Sequence, residues 1–314
     1  MSNLFGIGLA NGWQDIERVK SLGCDHYLAL EGQADYLAHC PGERYLRLWH
    51  KPDEDPIQVQ ERYREYKNVT RHLIPWNEPN LETSLSYPAI VYAFEWVKGI
   101  IDKDAILHWP GLAPIGDYRE RADEWLAGAE MADIVDVHAY GGAAQILEIV
   151  DWYHSVLPGK ELLITECNPG AGNVFNQDWW AQEYLTLTTA LLDRPWVIGA
   201  IGFIWEWHNP VNERGEPIVL PTTVDWKDQP IERVVREAAK PERKEWRREK
   251  VAEYEYVFGF KELAKKYGAE IGKPVSELIP FTPAGDCMQF SENGLLVWSK
   301  QGNKNYFFRA SRVL

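Results

Sequence analysis

The feature that most constrains this chain is a hydrophobic period that switches from 2 to 3.6 residues and back, repeatedly, along residues 1–240. Short apolar, β-branched or aromatic runs predict strands at Leu4 to Leu9, His26 to Leu30, Tyr45 to Trp49, His72 to Trp76, Ile106 to Trp109, Ile134 to His138, Leu162 to Glu166 and Ile198 to Trp205. Between them, apolar residues at three- and four-residue steps predict helices such as Ile57 to Tyr66, Ile90 to Ile101, Ala144 to Val156 and Trp179 to Leu192. A last helix is expected from Ile231 to Ala239. Strands alternating with helices make repeated βα units over a parallel sheet. An open doubly wound sheet has the same alternation, but no G-x-G-x-x-G follows the first strand and no Walker-type loop occurs. The expected fold class is therefore α/β, a (β/α)8 TIM barrel with a small C-terminal α+β appendage. A barrel uses roughly 250 residues, and this chain has 314.

The boundary is set by composition. Lys240 to Lys250 is a run of interleaved acids and bases, read as a solvated linker or helix face. Beyond it, Asn293-Gly294 between apolar runs signals a β-hairpin. We expect a catalytic barrel over residues 1–240 and a small α+β module over 241–314.

A formal net charge of −14 and a pI near 5.1 set the chain against nucleic-acid phosphates and anionic lipid. Neutral partners fit better, and fifteen Trp with fifteen Tyr supply surfaces on which sugars stack, although large cores absorb aromatics too. The expected partner is an oligo- or polysaccharide, with neither nucleic acid nor membrane. Cys24, Cys40, Cys167 and Cys287 are scattered, without a CxxC pair or a His at ligand spacing, so neither zinc nor a disulfide framework is expected, and no cofactor. Met1 to Gly8 lacks a charged n-region and a long apolar stretch, which points to a chain cytoplasmic as synthesised; release by another route would leave no mark.

Two acids stand where barrel chemistry is done. Glu78, in Trp76-Asn77-Glu78-Pro79-Asn80, closes the fourth predicted strand, and Glu166, in Ile164-Thr165-Glu166, closes the seventh. The C-terminal ends of barrel strands form the active-site mouth. Paired carboxylates there are the minimal machinery for glycoside cleavage, one protonating the leaving oxygen and one attacking or activating water. Their surroundings must push their pKa values apart. On this reading polar donors keep Glu166 anionic, and a less polar setting beside Trp76 keeps Glu78 protonated. A rim carboxylate held in a salt bridge is the ordinary alternative for either acid alone.

Motif by motif, the strand ends resemble the clan A retaining glycoside hydrolases, closest to family 39, whose Trp-Asn-Glu-Pro-Asn-Leu matches Trp76 to Leu81, and next to family 5. The likeness covers residues 1 to 240 and is specific only at strand ends. It implies Glu78 as acid/base, Glu166 as nucleophile and double displacement on a β-linked glycan of glucan, mannan or xylan type. It gives Asn77 the sugar's 2-hydroxyl. It sets His138 or Tyr140, on one face of the sixth strand, against the nucleophile. It makes Trp205, ahead of Trp207, a stacking platform. Arg47 departs from the pattern, since family members more often carry their arginine on the second strand. Trp49 and His50 on the third strand are further candidates for substrate contact, and His108 with Trp109 on the fifth and Asn11 with Trp13 on the first offer sugar subsites or, equally, shell packing. The tail, from Tyr267-Gly268 through Ile271-Gly272-Lys273-Pro274 to Trp298-Ser299, loosely resembles one LGFP-type repeat, a module of cell-wall hydrolases. That implies possible cell-wall contact and a lysin-like alternative substrate. A barrel that binds sugar without cleaving it is the other alternative.

Overall fold

The computed structural model describes residues 4–9, 15–168, 177–202, 227–239, 279–280, 287–291, 294–299 and 304–309. They fall in two compact units, Met1–Lys240 and Pro241–Leu314. The first is a closed barrel of eight parallel strands in sequential order. Its elements are β1 (Phe5–Leu9), α1 (Ile16–Lys20), β2 (His26–Leu30), α2 (Ala34–Leu37), β3 (Glu43–His50), α3 (Pro56–Tyr66), β4 (His72–Trp76), α4 (Pro79–Glu82), α5 (Tyr87–Ile100), β5 (Ile106–Trp109), α6 (Ala122–Met131), β6 (Ile134–Tyr140), α7 (Ala143–Val156), β7 (Glu161–Asn168), α8 (Gln177–Ala190), β8 (Val197–Gly202) and α9 (Pro230–Ala238).

The (β/α)8 barrel expected from the alternation is the fold observed. The ring closes where Phe5 of β1 pairs with Ala200 of β8. The Tyr184 hydroxyl of α8 clips that seam, donating to the Ala200 carbonyl at 2.7 Å. Between strands and helices lies the larger core, which includes Tyr27, Leu46, Trp76, Phe94, Trp109, Trp125 and Trp180. A smaller cluster of Leu28, Tyr45, Ile74, Ile134, Leu163 and Ile201 packs separately.

Barrel interiors are ordinarily filled by branched apolar side chains. Here a buried polar chain runs through the strands: His72 Nδ1 lies 3.0 Å from His108 Nε2, and His108 Nδ1 lies 2.7 Å from Asp136 Oδ1. Tyr45 sits edge-on to both imidazoles and bonds His26 Nδ1 at 2.9 Å. Burial, with His108 close by, holds the His72 imidazole down at about 3. The strand ends Trp109 and His108 are thus both displaced from the roles considered for them. His108 is fully buried in this chain. Trp109 points outward, with its ring 5.1 Å from Phe94 and 6.4 Å from Trp125. It fits because Gly128 of α6 has no side chain; a Cβ there would lie 2.2 Å from the indole. Trp109 is therefore a core residue and not a sugar contact.

Helix ends follow local chemistry. The Asp55 side chain accepts from the Ile57 amide at 3.0 Å at the start of α3, with Pro56 in the first turn, where its missing N–H costs nothing. The last helix is tied to the first: Glu232 of α9 accepts from Arg18 of α1 at 2.8 Å, from Arg236 at 2.6 Å and from the Asp228 amide at 2.9 Å.

In the second unit the described residues form a four-stranded antiparallel sheet of β9 (Ile279–Pro280), β10 (Cys287–Ser291), β11 (Gly294–Ser299) and β12 (Lys304–Arg309), in the order β12-β11-β10-β9. Ser291 pairs with Gly294, so β10 and β11 form the hairpin that the Asn-Gly signal predicts, with Gly294 already the first residue of β11. Most of the string compared above with an LGFP repeat lies outside the described residues.

Candidate active site

Among the described residues, six side chains from four strand ends meet at the C-terminal mouth of the barrel. Arg47 of β3 donates from Nη1 to Asn77 Oδ1 at 2.8 Å and to Glu166 Oε1. Its Nη2 lies 3.2 Å from His138 Nε2. Tyr140 donates its hydroxyl to Glu166 Oε2, and His138 Nδ1 lies 2.8 Å from Glu78 Oε1. One oxygen of Glu78, one of Glu166 and a His138 nitrogen all lie within 4.8 Å of one another.

Two departures from regular strand geometry aim these groups. Val137 of β6 pairs with Ile164 of β7, but the next residue, His138, pairs with Glu166, leaving Thr165 as an extra residue. Strict alternation would set Glu166 on the face opposite Leu163; the bulge at Thr165 returns it to the interior. In β3, Arg47 pairs with Ile74 and His50 with Trp76, so three steps in one strand match two in the other. Glu78 itself is left-handed, at φ 30 and ψ 60, and serves as the N-cap of α4. A non-glycine residue in that region stores strain that the surrounding bonds must hold. Leu81 and Glu82 donate their amides to the Glu78 carbonyl at 2.8 and 2.9 Å. Asn80 clamps Ala113 through both of its side-chain atoms, at 3.1 and 2.8 Å.

The two acids sit in different environments. Burial on its own would raise the Glu166 carboxyl; the positive charges of His138, when protonated, and Arg47, with hydrogen bonds from Tyr140 and Arg47, outweigh it and hold Glu166 below the usual carboxylate range. Burial and the charges of Glu166 and Glu78 push the Tyr140 hydroxyl far up, so it stays a donor. A guanidinium has no acceptor, so His138 Nε2 must accept from Arg47 and Nδ1 must carry the proton donated to Glu78. Arg47 is the permanent cation in direct contact with Glu166. Close approach is built in, because a Cβ at Gly111 would lie 2.2 Å from the His138 ring. The trio Glu78, His138 and Glu166 has the donor set of a metal site, but the guanidinium already occupies the cation position and a divalent ion would have to displace it.

Of the residues singled out from sequence, the structure brings Glu78, Glu166, Asn77, His138, Tyr140 and Arg47 together. Arg47, the departure from the family pattern, is the side chain that joins the others. Trp76 does not flank Glu78: its ring packs edge-on to Phe94 of α5, 6.1 Å away, and is buried between strand and helix. The group beside Glu78 is His138 instead. Trp49 is 54% exposed at the end of β3, where its backbone amide donates to Glu31 at 3.4 Å, and His50 Nδ1 pairs with Glu54 at 3.2 Å. Trp205, Trp207, Asn11 and Trp13 lie outside the described residues. Sequence reading missed Glu82, which accepts from Asn77 Nδ2 at 2.6 Å.

A closed parallel barrel whose rim holds two converging carboxylates, one of them held anionic, is the architecture of a barrel glycoside hydrolase. The comparisons agree. The chain belongs to the glycosyl hydrolase catalytic core family, whose model matches residues 43–213, more than half of its 314 residues. A β-xylosidase from Caulobacter crescentus CB15 has a similar structure, with a TM-score of 0.53, 12% identity, and 75% of this chain and 68% of that one covered. A β-glucuronidase from Ruminococcus gnavus gives 0.51 at 11% identity, over 76% of this chain and 50% of that one. This chain therefore spans about half the length of the glucuronidase. An exo-β-1,3-glucanase from Aureobasidium namibiae gives 0.48 at 13% identity, over 69% and 94%. At such identities the likeness is one of fold. A search of curated proteins gave no match.

Proposed function

We propose that this chain is a retaining hydrolase of a β-linked glycan, with Glu166 as nucleophile and Glu78 as acid/base. One observation carries the reading: carboxylate oxygens of the two acids lie within 4.8 Å of each other. Double displacement uses carboxyl groups about 5–5.5 Å apart, whereas an inverting enzyme holds them roughly 6.5–9.5 Å apart to admit a water. The asymmetry of the pair supports the roles. Glu166 is kept anionic by Arg47 and Tyr140, as a nucleophile requires. Glu78 has one oxygen taken by His138, which leaves the other to carry and deliver a proton.

In this mechanism Glu166 attacks the anomeric carbon as Glu78 protonates the departing glycosidic oxygen, giving a glycosyl-enzyme ester. Glu78 then takes a proton from water, the water oxygen attacks the anomeric carbon, and Glu166 leaves as carboxylate. Asn77 faces the sugar's 2-hydroxyl, a bond that strengthens as charge develops. A glucan, mannan or xylan type of substrate follows from the family resemblance, and two of the structural neighbours, a xylosidase and a glucuronidase, act on β-linked sugars.

The test is hydrolysis of aryl β-glycosides and β-glycan polymers, peptidoglycan included, by wild type, Glu78→Ala and Glu166→Ala with added azide. A dead Glu166→Ala that yields an inverted glycosyl azide, with a retained azide from Glu78→Ala, fits the two roles. Full activity in both variants sinks the assignment.

A further inference from the structure

Beyond the two acids, we infer that Glu82 is a positioning residue that sets the Asn77 amide for the sugar's 2-hydroxyl; the inference rests on the hydrolase reading above. Asn77 is held at both ends: Oδ1 accepts from Arg47 Nη1 at 2.8 Å, and Nδ2 donates to Glu82 Oε1 at 2.6 Å. A guanidinium only donates and an ionised carboxylate only accepts, so the amide has one permitted orientation. Flipped, it would set N–H against guanidinium and C=O against carboxylate, losing two charge-assisted bonds at once. Nδ2 carries two hydrogens and Glu82 takes one, so the second is a donor with its direction fixed. That is the group the 2-hydroxyl would meet.

The reach of Glu82 comes from the local fold. A single turn, α4, follows the acid/base, and its last residue returns its side chain to a residue five positions earlier. This turn does not depend on the Glu82 carboxylate. Thr83 Oγ1 donates to the Pro79 carbonyl at 2.9 Å, Asn80 is locked to Ala113, and the Glu82 bond to the Glu78 carbonyl uses its backbone amide. Removing the carboxylate therefore releases the Nδ2 end of the Asn77 amide, with Oδ1 still on Arg47, while leaving the turn that bears Glu78.

The experiment compares wild type, Glu82→Ala and Glu82→Gln on the 4-nitrophenyl β-glycoside that wild type cleaves fastest and on its 2-deoxy counterpart. Losing a charge-assisted bond that orients a transition-state contact is expected to lower kcat/KM of Glu82→Ala about 10- to 100-fold on the 2-hydroxy substrate. The 2-deoxy substrate, which has nothing for Asn77 to hold, is expected to lose less than about threefold, with the loss in kcat more than in KM. Glu82→Gln, whose side-chain carbonyl still accepts, is expected to restore most of the activity. Equal losses on both substrates would make Glu82 a structural prop, and unchanged activity in Glu82→Ala would remove it altogether; either overturns the inference. The side-chain amide resonances of Asn77 give a readout free of turnover: they are expected to move in Glu82→Ala and to stay near wild type in Glu82→Gln. Unmoved resonances in the alanine variant refute the positioning role whether or not the chain is a hydrolase. Failure of the parent reading shows elsewhere, as full activity in Glu78→Ala and Glu166→Ala.

Discussion

Replacing Arg47 with Met removes the cation on which the site depends while keeping a long apolar stem. Arg47 is 2% exposed and Glu166 7% in their side chains, so the pair is screened little by solvent. Breaking one half of such a pair typically costs about 3–5 kcal/mol, because the remaining charge is left buried. In a barrel of this size each kcal/mol moves Tm by about 2–4 °C, so Arg47→Met should melt about 6–20 °C lower at pH 7. The sign with pH is fixed by Glu166. In the wild type its carboxyl is held below its unfolded value, so its contribution is present above that value and is lost as pH falls through the folded one. In Arg47→Met burial dominates and raises the carboxyl, so the variant gains relative to wild type as pH falls from 7 towards 4. Neutralising the partner, as in Arg47→Met with Glu166→Gln, should recover most of the stability at pH 7 and none of the activity. Calorimetry of the four members of this cycle measures the coupling. A single variant within about 1 kcal/mol of wild type, or a double variant no more stable than the single, would refute the account of a charge pair holding the site.

Tyr140→Phe removes one donor from Glu166 and should cost about 10- to 100-fold in kcat/KM, with the acid limb of the pH–rate profile moved to higher pH; an unmoved limb would show that the hydroxyl does not tune the nucleophile. His72 is held neutral at about 3 in the fold against 6.5 when free, so stability should fall as pH drops below 6.5, by about 2 kcal/mol at pH 5 relative to pH 7. Urea melts at the two pH values check this, and His72→Gln should remove that part of the slope. Gly111→Ala drives a Cβ into the His138 ring and should lower both kcat and Tm, whereas Gly32→Ala, which meets nothing within 4 Å, should do neither.

The barrel was legible because its signal is repetition: eight runs of period 2 between helical segments leave few topologies. The short helices α2 and α4 escaped, since four residues carry no period. In the site, Glu78 and Glu166 were legible as acids closing apolar runs, and His138 with Tyr140 as residues two apart on one strand. The failures have one cause. A strand end says that a residue is near the mouth, not which way its side chain turns. Trp76 and Trp109 are both at strand ends, and both turn outward against Phe94. The only advance sign for Trp109 was Gly128, whose missing side chain makes room for the indole. Glu82 carried no sign at all, because its link to Asn77 spans five residues and exists only once Glu78 has turned left-handed.

The bulges explain why direction is hard to read and why the site exists. A period-2 strand that sends Leu163 inward cannot also send Glu166 inward without an extra residue. Thr165 is that residue, and it shifts the register of the last three residues of β7 against β6. Paired regularly and not bulged, Thr165 would turn Glu166 towards the helices, and the charge of Arg47 would stand in the barrel alone. Deleting Thr165 therefore removes the bulge without inverting a face: Glu166 would follow Ile164 directly, two residues from Leu163, inward and still opposite His138. We expect such a deletion to keep the cooperative melt of the barrel and to lower activity only through the local twist that the bulge gives to the Glu166 carboxylate. Replacing Thr165 with Ser or Val, which keeps the residue count, should leave the register intact, and activity that is kept in these substitutions but lowered in the deletion would place the effect in the backbone and not in the threonine side chain.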